Sequence, residues 1–237
     1  MGTPSFAVPI LKALHKKKYL ISATYTQPPQ KSQRGQRYNK SPIHVISEEL
    51  NIECRTPRIL KGNNEEFNFF KKLDVDIVIV VAYGQIIPND FLDLSKKGFI
   101  NIHASLLPKW RGAAPIQRSI INLEKETGIS IMKIGEKLDT GPVCNSYKID
   151  IKENDNAETI STKLSILASE KISENIDGIL DDTVRFKEQD HNNATYASKI
   201  KKSEGEIKWS DNAENIIGKI NGLYPSPGAF FLVFEFQ

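Results

Sequence analysis

The chain has 237 residues, a formal net charge of +3 and a composition that is 39% hydrophobic and 26% charged, which suits an ordinary globular protein with room for one full domain and part of a second. No apolar run approaches the roughly 18 residues needed to cross a bilayer, the opening Met1-Gly2-Thr3-Pro4-Ser5 lacks the layout of a signal peptide, and the net charge is too small to argue for nucleic-acid binding by itself. Cys54 and Cys144 have neither a disulfide-framework nor a metal-binding spacing, and His15, His44, His103 and His191 form no cluster, so free thiols in a reducing cytoplasmic compartment and no metal are expected.

Thr3-Pro4 reads as an N-cap and first-turn pair opening a helix through Pro9–His15. A short β-branched run follows at Tyr19–Thr26. Residues 30–40 (QKSQRGQRYNK) carry Lys31, Arg34, Arg37 and Lys40 without an acidic residue, follow Pro28-Pro29, and read as an exposed loop. On charge alone a solvated loop is the stronger reading, and a phosphate-seeking arm the sharper one. Helical spacing recurs at Pro42–Leu50, Glu65–Leu73, Pro115–Leu123 and Ala157–Leu180. Between these lie strand-like runs at Asp76–Ala82, Gly98–His103 and Gly128–Ile134. Asp76–Ala82 is nearly all apolar, as a strand covered on both faces should be. The alternation predicts an α/β fold, a mostly parallel sheet flanked by helices, with ligands gathering beyond the carboxyl ends of the strands. After Lys199 the texture changes to a polar link, a helix-like Ala213–Leu223, a Pro/Gly turn and the aromatic run FFLVFEF.

The strongest chemical signal is Asn101-Ile-His103-Ala-Ser105-Leu-Leu-Pro108-Lys-Trp-Arg111-Gly112. Side chains two apart on a strand share a face, so Asn101 and His103 project together while Ile100 and Ile102 pack the other way. An amide donor beside an imidazole suits a reaction that builds negative charge on a carbonyl oxygen. On spacing alone the pair fits a capping amide and a satisfied, half-buried imidazole at least as well. Leu138-Asp139-Thr140-Gly141 follows the 128–134 strand. If that strand neighbours 98–103, Asp139 approaches His103 and can orient it. An Asp-initiated turn is the plainer use of such a sequence, and nothing local separates the two.

The segment NIHASLLPKWRGAAPIQRSI resembles the signature of the folate-dependent formyltransferases, and RGAAPIQ resembles the branch acting on methionyl-tRNA. The similarity continues through MGTPSFAVPIL, the TQPP…RG…SPIH loop, VVAYGQIIP, LDTG, TYASKI…EIKWS and YPSPGAF. This resemblance implies a Rossmann-like catalytic domain (1–185), a linker (186–204) and the beginning of a small C-terminal β-barrel that helps hold tRNA (205–237). It further implies that Asn101, His103 and Asp139 form the catalytic set. Ser105, Leu106, Leu107 and Pro108 would line the folate site, and Ala82, Tyr83 and Gly84 would lie near the pterin. Lys31, Arg34 and Arg37 would face the tRNA acceptor end. The donor implied is 10-formyltetrahydrofolate and the acceptor initiator methionyl-tRNA, handled by a monomer without a membrane or a metal. A nucleotide-linked amino sugar or a purine precursor is the nearest alternative acceptor, and an inactive gene product the alternative from another class.

Three departures accompany the resemblance. The family's hydrophobic strand before the GTP turn is missing, which suggests that Met1 is an internal methionine. The chain is expected to stop early in the barrel. Lys137 stands where the family usually has a glycine before LDTG, so a change in that loop's backbone is expected.

Overall fold

The computed structural model describes residues 1–31 and 38–233. In chain order these form α1 (Val8–Lys16), β1 (Thr24–Tyr25), β2 (Gln30–Lys31), β3 (Tyr38–Asn39), α2 (Pro42–Glu49), β4 (Cys54–Arg55), α3 (Asn64–Lys72), β5 (Val78–Val80), α4 (Asn89–Leu92) and β6 (Phe99–His103). There follow β7 (Arg111–Gly112), α5 (Pro115–Ile121), β8 (Glu126–Lys133), β9 (Val143–Asp150), α6 (Ala157–Leu180), β10 (Tyr196–Ala197) and α7 (Ala213–Leu223).

Helix starts follow local chemistry. The Ser41 hydroxyl accepts from the His44 amide at the head of α2, and the Asn63 side chain accepts from Glu66 N at the head of α3. Asn156 and Thr159 form a reciprocal capping box on α6, satisfying donors that a helix start leaves open. Thr3 departs from expectation. A 3-10 turn at Ser5–Ala7 leads into α1 without a side-chain cap, because the Thr3 hydroxyl instead donates to Tyr83 O at 2.8 Å and accepts from Gln27 N at 3.3 Å. It ties the first loop to the loop after β5.

The main sheet runs in the order β5-β6-β8-β9, with β5 parallel to β6 and both later pairings antiparallel. β1 and β4 form a parallel pair. Met1 and Gly2 lie between the two groups: Gly2 N donates to Tyr25 O and Val81 N to Met1 O, both at 2.9 Å, with Gly2 parallel to Val81. Alongside them a cavity of about 330 Å³ separates residues 19–25 from residues 73–81. The expected strands at 76–82, 98–103 and 128–134 all form, whereas the 19–26 run is extended into a strand only at Thr24–Tyr25. β9 was not evident from pattern because its residues alternate between half-buried and exposed at the sheet edge, leaving no apolar run to see.

Helices cover both faces. Val81, Ile102 and Ile129 pack with apolar residues of α1, α2, α5 and α6, while Val78, Val80 and Phe99 pack with Tyr25, Phe70 of α3 and Phe91 of α4. Residues after α6 return to this body. Val143 and Lys187 exchange backbone hydrogen bonds at 2.8 and 2.9 Å, and β10 pairs in parallel with β7. α7 then packs on α5, where a Cβ at Gly222 would come within 2.5 Å of Ile121 Cγ1, so only glycine permits this approach.

Arg118 of α5 donates to Glu204 Oε2 at 2.6 Å, and the Lys201 amide donates to Glu204 Oε1 at 2.7 Å. The Arg118 hydrogen bond holds the Glu204 carboxyl below its ordinary pKa. Its stabilisation is therefore present above the unfolded carboxylate value of about 4.3 and lost as pH falls through the lowered folded value. Denaturant unfolding should find Glu204→Gln less stable than the parent at pH 7, with the gap smaller at pH 3, below the ordinary carboxylate value. An equal gap at both would exclude the ion pair as its source.

Candidate active site

The antiparallel pairing of β6 with β8 sets His103 opposite Ser130 and Asn101 opposite Met132. The loop leaving β8 doubles back beside Asn101, as the spacing required for Asp139 to reach His103. Asp139 Oδ2 lies 3.6 Å from His103 Nδ1, and Asn101 Nδ2 donates to Asp139 Oδ1 at 3.4 Å. The Gly112 amide donates to Asp139 Oδ2 at 2.9 Å, the tightest hold on the carboxylate. Asn101, His103 and Asp139 thus converge.

His103 is only 6% exposed. Its Nε2 lies 2.9 Å from Trp110 O, so each ring nitrogen faces an oxygen acceptor. Trp110 itself has φ +60°, and its amide donates to Thr195 Oγ1 at 2.9 Å. The ring is thereby fixed between β6, the turn before β7 and the approach to β10. Asp139 has φ +50°, a left-handed conformation that Asp tolerates better than most residues. Lys137, at the position that suggested a glycine requirement, is not among the positive-φ residues. The loop makes its left-handed step at Asp139 instead.

The turn after β6 is pinned from within. The Ser105 hydroxyl donates to Lys109 O at 2.6 Å, Ser130 Oγ donates to Ser105 O at 2.8 Å, and Leu107 N donates to Ser130 Oγ at 3.0 Å. Ser105 is fully buried, so its hydroxyl serves the turn, while Leu106, Leu107 and Pro108 are half-buried along its rim. In the 82–84 loop, Ala82 and Gly84 are exposed with positive φ. Tyr83 is 2% exposed, packs in the aromatic core and has no partner for its hydroxyl among the described residues. Burial pushes that phenol above its ordinary pKa. Backbone groups, rather than the Tyr83 ring, are what this loop presents outward. Lys31 is exposed, its ammonium 5.8 Å from the Tyr38 ring centre; Arg34 and Arg37 lie outside the described residues.

Sequence reasoning missed the far side of the site. Gln189 donates to Asp139 O and Gly141 O at 3.0 and 2.7 Å and accepts from Arg111 Nε and Nη2 at 3.1 and 2.7 Å. Arg111 stood inside the 101–112 motif, but no local pattern marked Gln189, whose partners are 48 to 78 residues away.

Residues 1–176 match the family described as formyl transferase, and residues 199–235 match its C-terminal domain. The chain belongs to the formyltransferase family. Within that family it is 75% identical to a methionyl-tRNA formyltransferase of Pelagibacter ubique, over 98% of this chain and 75% of the relative. It is 42% identical to the methionyl-tRNA formyltransferase of Brucella ovis, over 97% and 75%. The fold also resembles a sugar 3N-formyltransferase solved with dTDP and 5-N-formyl-THF, with TM-score 0.71, 20% identity and coverage of 93% and 76%. An N-formyltransferase from Helicobacter canadensis, solved with folinic acid and dTDP-3-aminofucose, gives TM-score 0.72 at 21% identity over 93% and 78%. At these identities the two structures establish the fold alone, and the fold class is the Rossmann-like α/β class expected.

In the loop that carries Asp139, a Cβ on Gly141 would overlap the Lys133 carbonyl oxygen. Gly141→Ala should push the loop away from β8, lowering unfolding free energy by about 1–3 kcal/mol as overpacking does and reducing turnover with it. Parent-like stability and turnover would show that the loop yields without moving Asp139.

Proposed function

We propose that this protein transfers the formyl group of 10-formyltetrahydrofolate to the α-amino group of methionyl-tRNA. The observation that carries the reading is 75% identity, across 98% of the chain, with a methionyl-tRNA formyltransferase. The convergence of Asn101, His103 and Asp139 supplies groups suited to the chemistry. The folate is a co-substrate. Exposed peptide edges at Ala82 and Gly84, together with the half-buried Leu106–Pro108 rim, suit a flat pterin better than a side-chain cage.

A free α-amino group has a pKa of about 8, so part of it is uncharged near neutrality and can attack the formyl carbon. The carbonyl oxygen takes up the electron pair as the new C–N bond forms. Asn101 Nδ2 and an N–H of His103 stabilise that oxyanion, an interaction worth about 3–4 kcal/mol per donor in other acyl transfers. Asp139 orients His103 and accepts the proton leaving the attacking nitrogen, directly or through water. Collapse breaks the bond to the folate nitrogen, which takes a proton from His103 acting as imidazolium, and the proton held by Asp139 then returns to the imidazole, restoring both groups. In the free protein His103 Nε2 is engaged by Trp110 O, so donation into the site requires that interaction to be shared or exchanged when substrate binds. The setting we assign is the cytoplasm; among the described residues no helix is long and apolar enough to cross a membrane.

The test is single-turnover and steady-state formyl transfer with methionyl-tRNA and, separately, a nucleotide-linked amino sugar as acceptor. Preference for the amino sugar would overturn the assignment of acceptor; transfer to neither would overturn the function. Asp139→Asn should lower kcat by at least 10²-fold, within the usual range for a positioned acid–base group, with folate KM changed little. Near-parent turnover would remove the role given to Asp139. His103→Ala should show a comparable loss.

Lys31, Arg34 and Arg37 are proposed to touch tRNA phosphates, which position the acceptor without reading its sequence. Neutralising Arg34 and Arg37 together should weaken tRNA binding and reduce the steepness of its salt dependence, by about 0.7–0.9 in log–log slope for each phosphate no longer neutralised. An unchanged slope would return the segment to a solvated loop.

A further inference from the structure

We infer that Gln189 is a positioning residue for the Asp139 carboxylate, clamping the loop that carries it against the β7 strand that holds it. The inference rests on the role proposed for Asp139 above.

Gln189 is 8% exposed and every hydrogen-bonding position of its amide is filled. Its two N–H groups go to the carbonyls of Asp139 and Gly141, and its oxygen receives Arg111 Nε and Nη2. The orientation is fixed by the partners, since a flipped amide would set its NH2 against guanidinium donors and its oxygen against two carbonyls. The next residue after Arg111 is Gly112, whose amide holds Asp139 Oδ2. One side chain therefore grips the Asp139 loop through its backbone and, through Arg111, the strand that grips the same residue by its carboxylate. The result is a closed ring of hydrogen bonds around residue 139.

Asp139 needs such a constraint. A non-glycine residue in left-handed conformation, even an aspartate, is held there where its surroundings over-determine it. Relaxing φ from +50° would rotate the carboxylate away from His103 and Asn101. Arg111, 2% exposed, has no carboxylate within ion-pair distance among the described residues; its remaining partner is His191 Nδ1 at 2.9 Å. The guanidinium is thus oriented by neutral acceptors, of which Gln189 supplies two of the three hydrogen bonds. Gln189 is itself anchored by the Val143–Lys187 backbone pair two residues earlier and by β10 a few residues later.

Gln189→Glu separates the two halves of the clamp. The carboxylate keeps the Arg111 interaction but sets oxygen against the Asp139 and Gly141 carbonyls. Gln189→Met fills similar space and removes both halves, so it serves if the acidic variant does not fold. The expected result is a 10- to 100-fold fall in kcat for formyl transfer with folate KM within about threefold, in line with what a small misplacement of a catalytic group costs. Amide hydrogen exchange at Gly112 should accelerate at the same time. In the Asp139→Ala background, Gln189→Glu should lower the residual rate less than twofold, because there is no carboxylate left to position. Unchanged kcat in the folded variants, or an equal proportional loss with Asp139 already removed, would overturn the inference. So would unaltered Gly112 exchange, which is read without substrate. That measurement decides the clamp even if the parent transfers no formyl group, an outcome that would sink the proposed function instead.

Discussion

The candidate site depends on one backbone-to-carboxylate interaction, the Gly112 amide donating to Asp139 Oδ2. Through it the loop after β8 is fastened to the strand that follows the β6 turn, and Asn101 and His103 are brought under the same carboxylate. A charge-assisted bond from a backbone donor is short and directional. Its donor has no side-chain freedom, so the carboxylate is held with little entropy left to lose. Everything else around the site fixes one end of this hydrogen bond: β6–β8 pairing fixes the loop's origin, Trp110 and Thr195 fix the turn before Gly112, and Gln189 fixes the loop's far side.

The sheet explains why the carboxylate arrives from that direction. β8 runs antiparallel to β6, so its carboxyl end lies at the amino end of β6. β9 begins beside that same end, with Val143 opposite Met132, so the connection between the two strands stays near Asn101. The 134–142 segment makes that connection, with the left-handed step at Asp139 and the close approach at Gly141. An all-parallel arrangement would have spent this stretch on a crossover helix. The segment after α6 then closes the site from outside, through Lys187, Gln189 and β10. The stretch read from sequence as a linker contributes hydrogen bonds to the site.

Much of this was legible in the chain. α6 and α7 have the bounds their spacing indicates, because long amphipathic patterns with Asn caps leave little choice. The alternation of strand and helix pointed to the fold class, and the 101–112 and 138–141 motifs held the residues that converge. What stayed hidden has physical causes. β9 is an edge strand with no apolar run. Thr3 has the composition of a helix cap but a stronger partner in Tyr83 O, 80 residues away. Ser105 and Tyr83 sit in the motifs ascribed to folate, yet one hydroxyl is used by its own turn and the other side chain is buried in the aromatic core.

The sequence by itself determined the family, the fold class and which residue types could carry formyl transfer, because these are written in local pattern and in motifs read in order. The tertiary structure alone decided that Asp139 meets Asn101 and His103, that its turn is left-handed, and that Gln189 closes the ring behind it. Those interactions join residues 27 to 78 positions apart. Their formation depends on strand register and on which donors remain unpaired after the sheet has formed, and neither is a property of any short stretch of chain.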